Sequence, residues 1–263
     1  MPDSFLIGLV LKMVTSAAIV VAASLIVERA GPFLGAMVAT LPVSAGPAYV
    51  FLAYEHDAAF IERSSLASLV VNAATAGFIA VYAGLAQRHR LVASLGGALG
   101  FWLVCAWLAS RIPWSLPGAI ALNAAAYGGA ILATRRFLRT APRVQAGPRP
   151  WWGIPMRALS VMALVAAVIA AGRLIGPQAA GMAALMPVVM TSLALILHPS
   201  IGGPATAAVM VNALMGMIGF TAAVVVLHLA SVPWGTAAAL WAALATCLVW
   251  NGGLALHRRW SPR

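Results

Sequence analysis

The sequence predicts an all-α polytopic membrane protein with about nine transmembrane helices, and three observations carry this prediction. Of the 263 residues, 63% are hydrophobic and 8% are charged, whereas soluble domains are about half apolar and about a quarter charged. The mean hydropathy is +0.97. The apolar residues also form long runs. Because lipid offers no hydrogen-bond partner to backbone N–H and C=O groups, such runs cross a membrane as helices of about 20 residues, in which these groups bond to one another.

Polar residues and Gly/Pro interruptions divide these runs into nine predicted spans. In chain order they are Phe5–Val27, Pro32–Tyr54, Ile61–Ala86, Val92–Ser110, Leu116–Thr134, Pro155–Gly172, Pro177–Leu197, Pro204–Leu229 and Trp234–Leu256. The first run carries Lys12 and lacks the short apolar core and cleavage site of a signal peptide, so we interpret it as a span. Cys105 and Cys247 lie inside apolar runs, which indicates packing residues rather than a disulfide framework.

The basic residues predict the orientation of the spans. Nine spans place the termini on opposite sides, and cytoplasmic loops are enriched in Lys and Arg. With the amino terminus outside, four basic residues lie outside, namely Lys12, Arg63, Arg111 and Arg173. Twelve then lie inside: Arg29, Arg88, Arg90, Arg135, Arg136, Arg139, Arg143, Arg149, Arg157, Arg258, Arg259 and Arg263. We therefore expect an inner-membrane protein with a cytoplasmic carboxyl terminus, and we attribute the net charge of +11 to topology rather than to nucleic-acid binding.

Residues 135–154 form the longest polar stretch, which is too basic and too rich in proline for a helix across lipid. We predict a cytoplasmic linker in which Trp151 and Trp152 lie at headgroup level and the arginines contact anionic lipid headgroups. The linker divides the chain into a first membrane repeat, residues 1–134 with about five spans, and a second, residues 155–263 with about four.

Two segments of the chain indicate an internal duplication. Residues 31–43 read GPFLGAMVATLPV and residues 176–188 read GPQAAGMAALMPV, with six identities in thirteen positions. The following spans carry Val-Asn-Ala at residues 71–73 and 211–213. If spans one to three correspond to six to eight, five spans separate the partners, and this odd number reverses their direction. The sequence therefore predicts an inverted repeat, which is typical of secondary transporters.

The carboxyl end of each half allows a second alignment. Residues 112–136 and 232–259 both begin with a Pro-Trp boundary and end with Arg-Arg. That similarity would pair the fifth span with the ninth in the same direction, and we attribute it to the chemistry that span boundaries share. Whether the fourth or the fifth span is the partner of the ninth is left open by the sequence.

The candidate binding site lies at two matched prolines. Pro42 and Pro187 each follow a Gly-Pro helix start by 11 residues, Gly31 and Gly176, which places them about 16 Å deep, near the membrane midplane. A proline there interrupts the helix, and freed backbone groups are tolerated only inside protein or along a polar cavity. The substrate-binding residues we expect are Thr40, Pro42, Ser44, Asn72, Pro187, Thr191, Ser192 and Asn212. The alternative is that the prolines only kink helices and the asparagines only link them.

The absence of recognisable catalytic and ligand-binding motifs from the sequence limits the classes of function that we expect. We find no nucleotide loop, metal-ligand cluster or nucleophile with its base, so we expect neither an enzyme nor a cofactor or metal. The leading hypothesis is a small secondary transporter or exporter of a small neutral or anionic solute. The alternatives are a non-transporting scaffold or assembly subunit, and a lipid flippase. The partners we expect are the lipid bilayer, the solute and anionic lipid headgroups at the linker. The sequence is also compatible with a homo-oligomer.

Overall fold

The computed structural model describes residues 8, 10–18, 21–22, 45–139 and 152–260, and this described part is helical with short connections. Seven of its segments are long and apolar enough to span a membrane, as judged by length and composition. They are Ala58–Leu85, Leu91–Ser110, Leu116–Leu138, Gly153–Leu174, Pro177–Ile201, Gly203–Trp234 and Thr236–His257. The structure is thus compatible with an integral membrane protein of the helical class.

The helices are numbered in chain order. Residues 10–18 and 21–22 are helical and constitute α1. The others are α2 (Ala45–Glu55), α3 (Ala58–Leu85), α4 (Leu91–Ser110), α5 (Leu116–Arg139), α6 (Gly153–Leu174), α7 (Pro177–Ala184), α8 (Val188–Ile201), α9 (Gly203–Trp234) and α10 (Thr236–Trp260). Helices α7 and α8 together make one of the seven segments.

The last seven predicted spans each overlap one of these segments. The first predicted span is described only in part, by α1, and the described residues of the second begin at Ala45. The count of nine spans and the inverted repeat therefore stay predictions.

Several helices extend beyond the predicted ends, and for α3 and α5 the local reason is clear. Helix α3 begins three residues early because the Asp57 carboxylate accepts a hydrogen bond from the backbone N–H of Phe60 at 2.8 Å and so caps the helix. Helix α5 continues to Arg139, so the first five residues of the predicted linker are helical. Arginine and leucine are good helix formers, and the first proline of the linker comes only at Pro142.

Helix α3 lies at the centre of the bundle and packs against α4, α5, α7 and α9. It runs antiparallel to α9. Near the start of α3, His228 Nδ1 lies 2.8 Å from the carbonyl oxygen of Glu62, and further along, Asn72 donates to the Thr221 hydroxyl at 2.8 Å. This is the relative direction that inverted repeats require of the third and eighth spans.

The two largest apolar clusters fill much of the interior of the described part of the chain. One surrounds the carboxyl half of α3, where Phe78 and Tyr82 pack with residues of α4, α8 and α9 such as Met210. The other joins α2, α6 and α7, with Leu52 and Val165 among its fully buried members. Together they hold both halves of the chain against α3.

The described charged residues are separated between the two ends of the bundle. One end, called here the acidic end, carries Glu55, Asp57 and Glu62 together with Lys12, Arg63, Arg111 and Arg173. The other, called the basic end, carries Arg88, Arg90, Arg135, Arg136 and Arg157. The acidic end corresponds to the predicted outer side, and the basic end to the predicted cytoplasmic side.

Glu55 links three helices at the acidic end. Its side chain is 11% exposed and accepts a hydrogen bond from Arg173 Nε at 2.9 Å and another from Lys12 Nζ. Burial favours the neutral acid, but the hydrogen bonds and charges of Arg173 and Lys12 outweigh it and hold the pKa of this carboxyl below its usual value. The cluster ties α1 and α2 of the first half to α6 of the second.

Candidate functional site

The crossing Pro177–Ile201 is broken in the middle. Helix α7 ends at Ala184, and α8 begins at Val188 after Pro187, the eleventh of the 25 residues in this crossing. Proline has no backbone N–H to continue the helical ladder. In its place, the N–H groups of Met186 and Val188 make short-range bonds to the carbonyls of Ala183 and Met186, at 3.0 and 2.7 Å. The helix is interrupted at Pro187, where the sequence predicted an interruption.

The predicted hydroxyl residues of this half lie one turn after the break. Thr191 is half-buried, and its backbone N–H bonds to the carbonyl of Pro187 at 2.9 Å. Ser192 is buried, and its hydroxyl donates to the carbonyl of Val189 at 2.9 Å. Their predicted counterparts in the first half, Thr40, Pro42 and Ser44, lie outside the described residues.

A stripe of buried polar side chains faces α7 from α3. Ser64 and Ser68 are one turn apart, and both are fully buried. Their hydroxyls donate to the carbonyls of Pro177 at 2.9 Å and Gly181 at 2.6 Å. A Cβ at Gly181 would overlap the carbonyl of Ser64, so the absence of a side chain allows this close approach.

These contacts fix the level of the break against α3. The two helices run parallel, since both residue numbers increase by four from one contact to the next. Continuing this register by one turn places Leu185 beside Asn72, and the break then lies level with Asn72 to Thr75. From this register we infer that the matched proline of the second half and the matched asparagine of the first half lie at about the same depth.

Asn72 is the centre of a buried hydrogen-bond network. Its amide nitrogen donates to Asn123 Oδ1 at 3.0 Å and to the Thr221 hydroxyl at 2.8 Å, and its amide oxygen accepts from the Tyr127 hydroxyl at 3.2 Å. Asn123 also donates to the carbonyl of Leu69 at 2.7 Å. The network joins α3, α5 and α9, as the helix-linking alternative for Asn72 expects.

Asn123, Tyr127 and Thr221 were missed as members of this site. Asn123 has no counterpart at the offset that matches the two halves, so the internal repeat did not select it. A signal was available, because Asn123 is one of only four asparagines in the chain and lies within a predicted span, where a buried amide must find partners.

Asn212 has a different environment from its match. It is exposed on α9, and its amide donates to the carbonyl of Ala208 in its own helix at 3.0 Å. Asn72 instead contacts α9 at Thr221, nine residues and therefore about 13 Å further along the helix. The structure thus places the two matched amides apart.

The described part of the chain forms a bundle around one polar central helix, packed against one proline-broken helix. Among the described residues, no three His, Cys, Asp or Glu side chains are grouped closely enough to hold a metal ion. The class that these features define is a helical protein compatible with an integral membrane location. Comparison of the chain with protein-family models, with curated proteins and with solved structures found no match.

Proposed function

We propose that the chain is a small secondary transporter or exporter of a small neutral or anionic solute across an inner membrane. The observation that supports this proposal is a helix broken at Pro187 that packs along the buried polar residues of α3 as far as the Ser68–Gly181 contact, one turn before Asn72. Interrupted helices that meet polar side chains at mid-crossing are typical of transporter binding sites. The site would lie between the break and α3, with Thr191 at its edge.

The proposed inverted repeat is supported by one pair of similar contacts. The ring of Phe101 on α4 packs where a side chain at Gly77 of α3 would lie, and Trp250 on α10 packs in the same way on Gly219 of α9. Because α3 and α9 run antiparallel, this similarity favours α4 as the partner of α10. Helix α5 then has no counterpart and serves to cover Asn72.

The second candidate function is a non-transporting scaffold or assembly subunit. It is favoured by the hydrogen bonds of Asn72, because both the nitrogen and the oxygen of its amide are engaged by neighbouring helices. In that case the buried polar residues of α3 only hold the helices together. Each interhelical hydrogen bond of a buried amide stabilises the bundle by about 0.6–2 kcal/mol.

The test separates activity from stability. The purified protein is placed in liposomes and assayed for uptake of radiolabelled amino acids, monocarboxylates and inorganic anions, and its Tm is measured in detergent. Pro187→Ala should abolish uptake while Tm stays unchanged or rises, since the helix becomes continuous. Pro233→Ala, in the exposed last turn of α9, is the matched control and should keep uptake. An active but destabilised Pro187→Ala protein would contradict the proposed site.

A further inference from the structure

A crevice of about 580 Å³ opens at the basic end of the bundle. It lies between the last turn of α3, the turn that leads into α4, and the last turns of α5. Among the described residues, it is lined by Gly84, Leu85, Gln87, Arg88, His89, Arg136 and Phe137. None of these residues belongs to the site around Asn72, and the crevice is separated from that site by the carboxyl half of α3.

The fold brings the two arginines of the crevice together from distant parts of the chain. Helices α3 and α5 run parallel, because Asn123 and Tyr127 contact Leu69 and Asn72 in the same order, so both helices end on this side. The backbone N–H groups of Arg88 and His89 then bond to the carbonyl of Leu85 at 3.1 and 2.9 Å. This tight turn directs the chain back beside α5, where Arg136 lies.

The described residues of the lining are basic or uncharged. They include two guanidinium groups and one imidazole, and the three described acidic residues, Glu55, Asp57 and Glu62, lie at the acidic end. The guanidinium of Arg136 lies 4.8 Å from the ring centroid of Phe137, which orients its planar fork. Guanidinium groups bind phosphate oxygens through paired N–H donors, more specifically than an ammonium group can.

We propose that this crevice binds a phosphate group, supplied by an anionic phospholipid headgroup or by a soluble phosphate compound. The volume lies within the usual range of about 300–1,000 Å³ for ligand pockets, so it accepts a glycerophosphate headgroup as well as free phosphate. The crevice lies where the apolar part of α3 ends, which is the level of headgroups for a spanning helix. The inference does not depend on transport.

A purely structural role for these arginines makes a different prediction. Arg136 lies in the last turn of α5 and Arg88 follows the end of α3, where any cation stabilises the partial negative charge of a helix carboxyl terminus. In that case their replacement lowers stability by the same amount whichever lipid is present. A phosphate site instead makes the added stability depend on the headgroup.

The experiment measures the Tm of the purified full chain in detergent at constant ionic strength. Three additions are compared, namely phosphatidylglycerol, phosphatidylcholine and sodium phosphate. We expect phosphatidylglycerol to raise the Tm of the unaltered protein more than phosphatidylcholine does. The double variant Arg88→Gln/Arg136→Gln should lose at least half of that difference. Arg63→Gln/Arg111→Gln, which removes the same charge from the acidic end, should keep it.

A charge-preserving variant covers the case in which the Gln variant does not fold. Arg88→Lys/Arg136→Lys retains the cations at the helix ends but lacks the paired donors, and its lipid-dependent shift should also fall. A rise of Tm with sodium phosphate alone would identify a soluble phosphate as a sufficient ligand, and a rise with phosphatidylglycerol alone would identify the headgroup. Equal shifts with both lipids and no effect of sodium phosphate, or equal shifts in the crevice and control variants, would overturn the proposal.

Discussion

At the scale of single residues, two asparagines with the same neighbours in sequence have different surroundings. Asn72 is fully buried and makes hydrogen bonds to two other helices, whereas the amide of Asn212 bonds within α9 and is exposed. The difference comes from α5, which covers Asn72 with Asn123 and Tyr127. The two asparagines therefore share the same local sequence but differ in their hydrogen-bond partners. Asn72 bonds to side chains of α5, and Asn212 bonds to a carbonyl of its own helix.

This difference predicts unequal costs of substitution. Asn72→Ala leaves Asn123, Tyr127 and Thr221 each short of a partner, and should lower the free energy of unfolding by about 1–3 kcal/mol. Asn212→Ala should change it by less than about 0.5 kcal/mol. The effects of Asn72→Ala and Asn123→Ala should be less than additive, because the two amides share a network. Denaturant unfolding in detergent measures these values, and equal losses for Asn72→Ala and Asn212→Ala would contradict the structure.

The sequence predicted part of the candidate site. It located the interruption at Pro187, because a proline acts through its own missing N–H whatever its surroundings. It also selected Asn72, since an amide in an apolar run must find partners. It could not find Thr221 or Tyr127, because the partners of a buried amide depend on which helix faces meet.

At the scale of helices, the close contact between α3 and α7 depends on Gly181. Gly181→Ala should destabilise the protein markedly, because the new methyl group would overlap the carbonyl of Ser64, which is backbone and cannot rotate away. Gly100→Ala is the matched control. Gly100 is also helical, but a Cβ there meets nothing within 4 Å, so alanine should be neutral or stabilising through its better helix propensity. Thermal unfolding of both variants in detergent tests this, and equal Tm values would argue against the packing.

The positions of the crossings were more predictable than their ends. Long apolar runs locate membrane helices because every backbone group in lipid must be bonded internally. The eighth predicted span nevertheless ended too early, at Leu229, since α9 continues through Pro233 to Trp234 and ends at Gly235, whose φ is 80°. Proline is tolerated in a last turn, but a positive φ, favourable for glycine, ends the helix.

At the scale of the whole molecule, charge separates the two ends of the bundle. The three described acidic residues lie at the acidic end, and Arg88, Arg90, Arg135, Arg136 and Arg157 lie at the basic end. Basic residues are retained on the cytoplasmic side during insertion, so the basic end should face the cytoplasm. The net charge and the composition do not show which end of the bundle is basic. That depends on the number of membrane crossings between one arginine and the next along the chain.

Reporter fusions test this orientation. A reporter active only in the cytoplasm should be active when fused after Arg259 or inserted near Val144, and inactive near Asp57. Both active positions follow an odd number of predicted spans from the outside amino terminus, and Asp57 follows an even number. Activity near Asp57, or its loss after Arg259, would require an even number of spans between the termini or the opposite orientation, and the first of these would remove the basis of the inverted repeat.

If the break at Pro187 borders the proposed binding site, Thr191 must be reachable from water, and its accessibility can be measured without knowledge of the solute. Cys105 and Cys247 are first replaced with alanine. We then expect a membrane-impermeant maleimide to label the Thr191→Cys variant from either side of sealed vesicles, since an alternating site opens to both. Ala194→Cys, at a fully buried position of the same helix, should stay unlabelled until the protein is denatured. A Thr191→Cys protein that is labelled from neither side in its folded state would contradict the transporter.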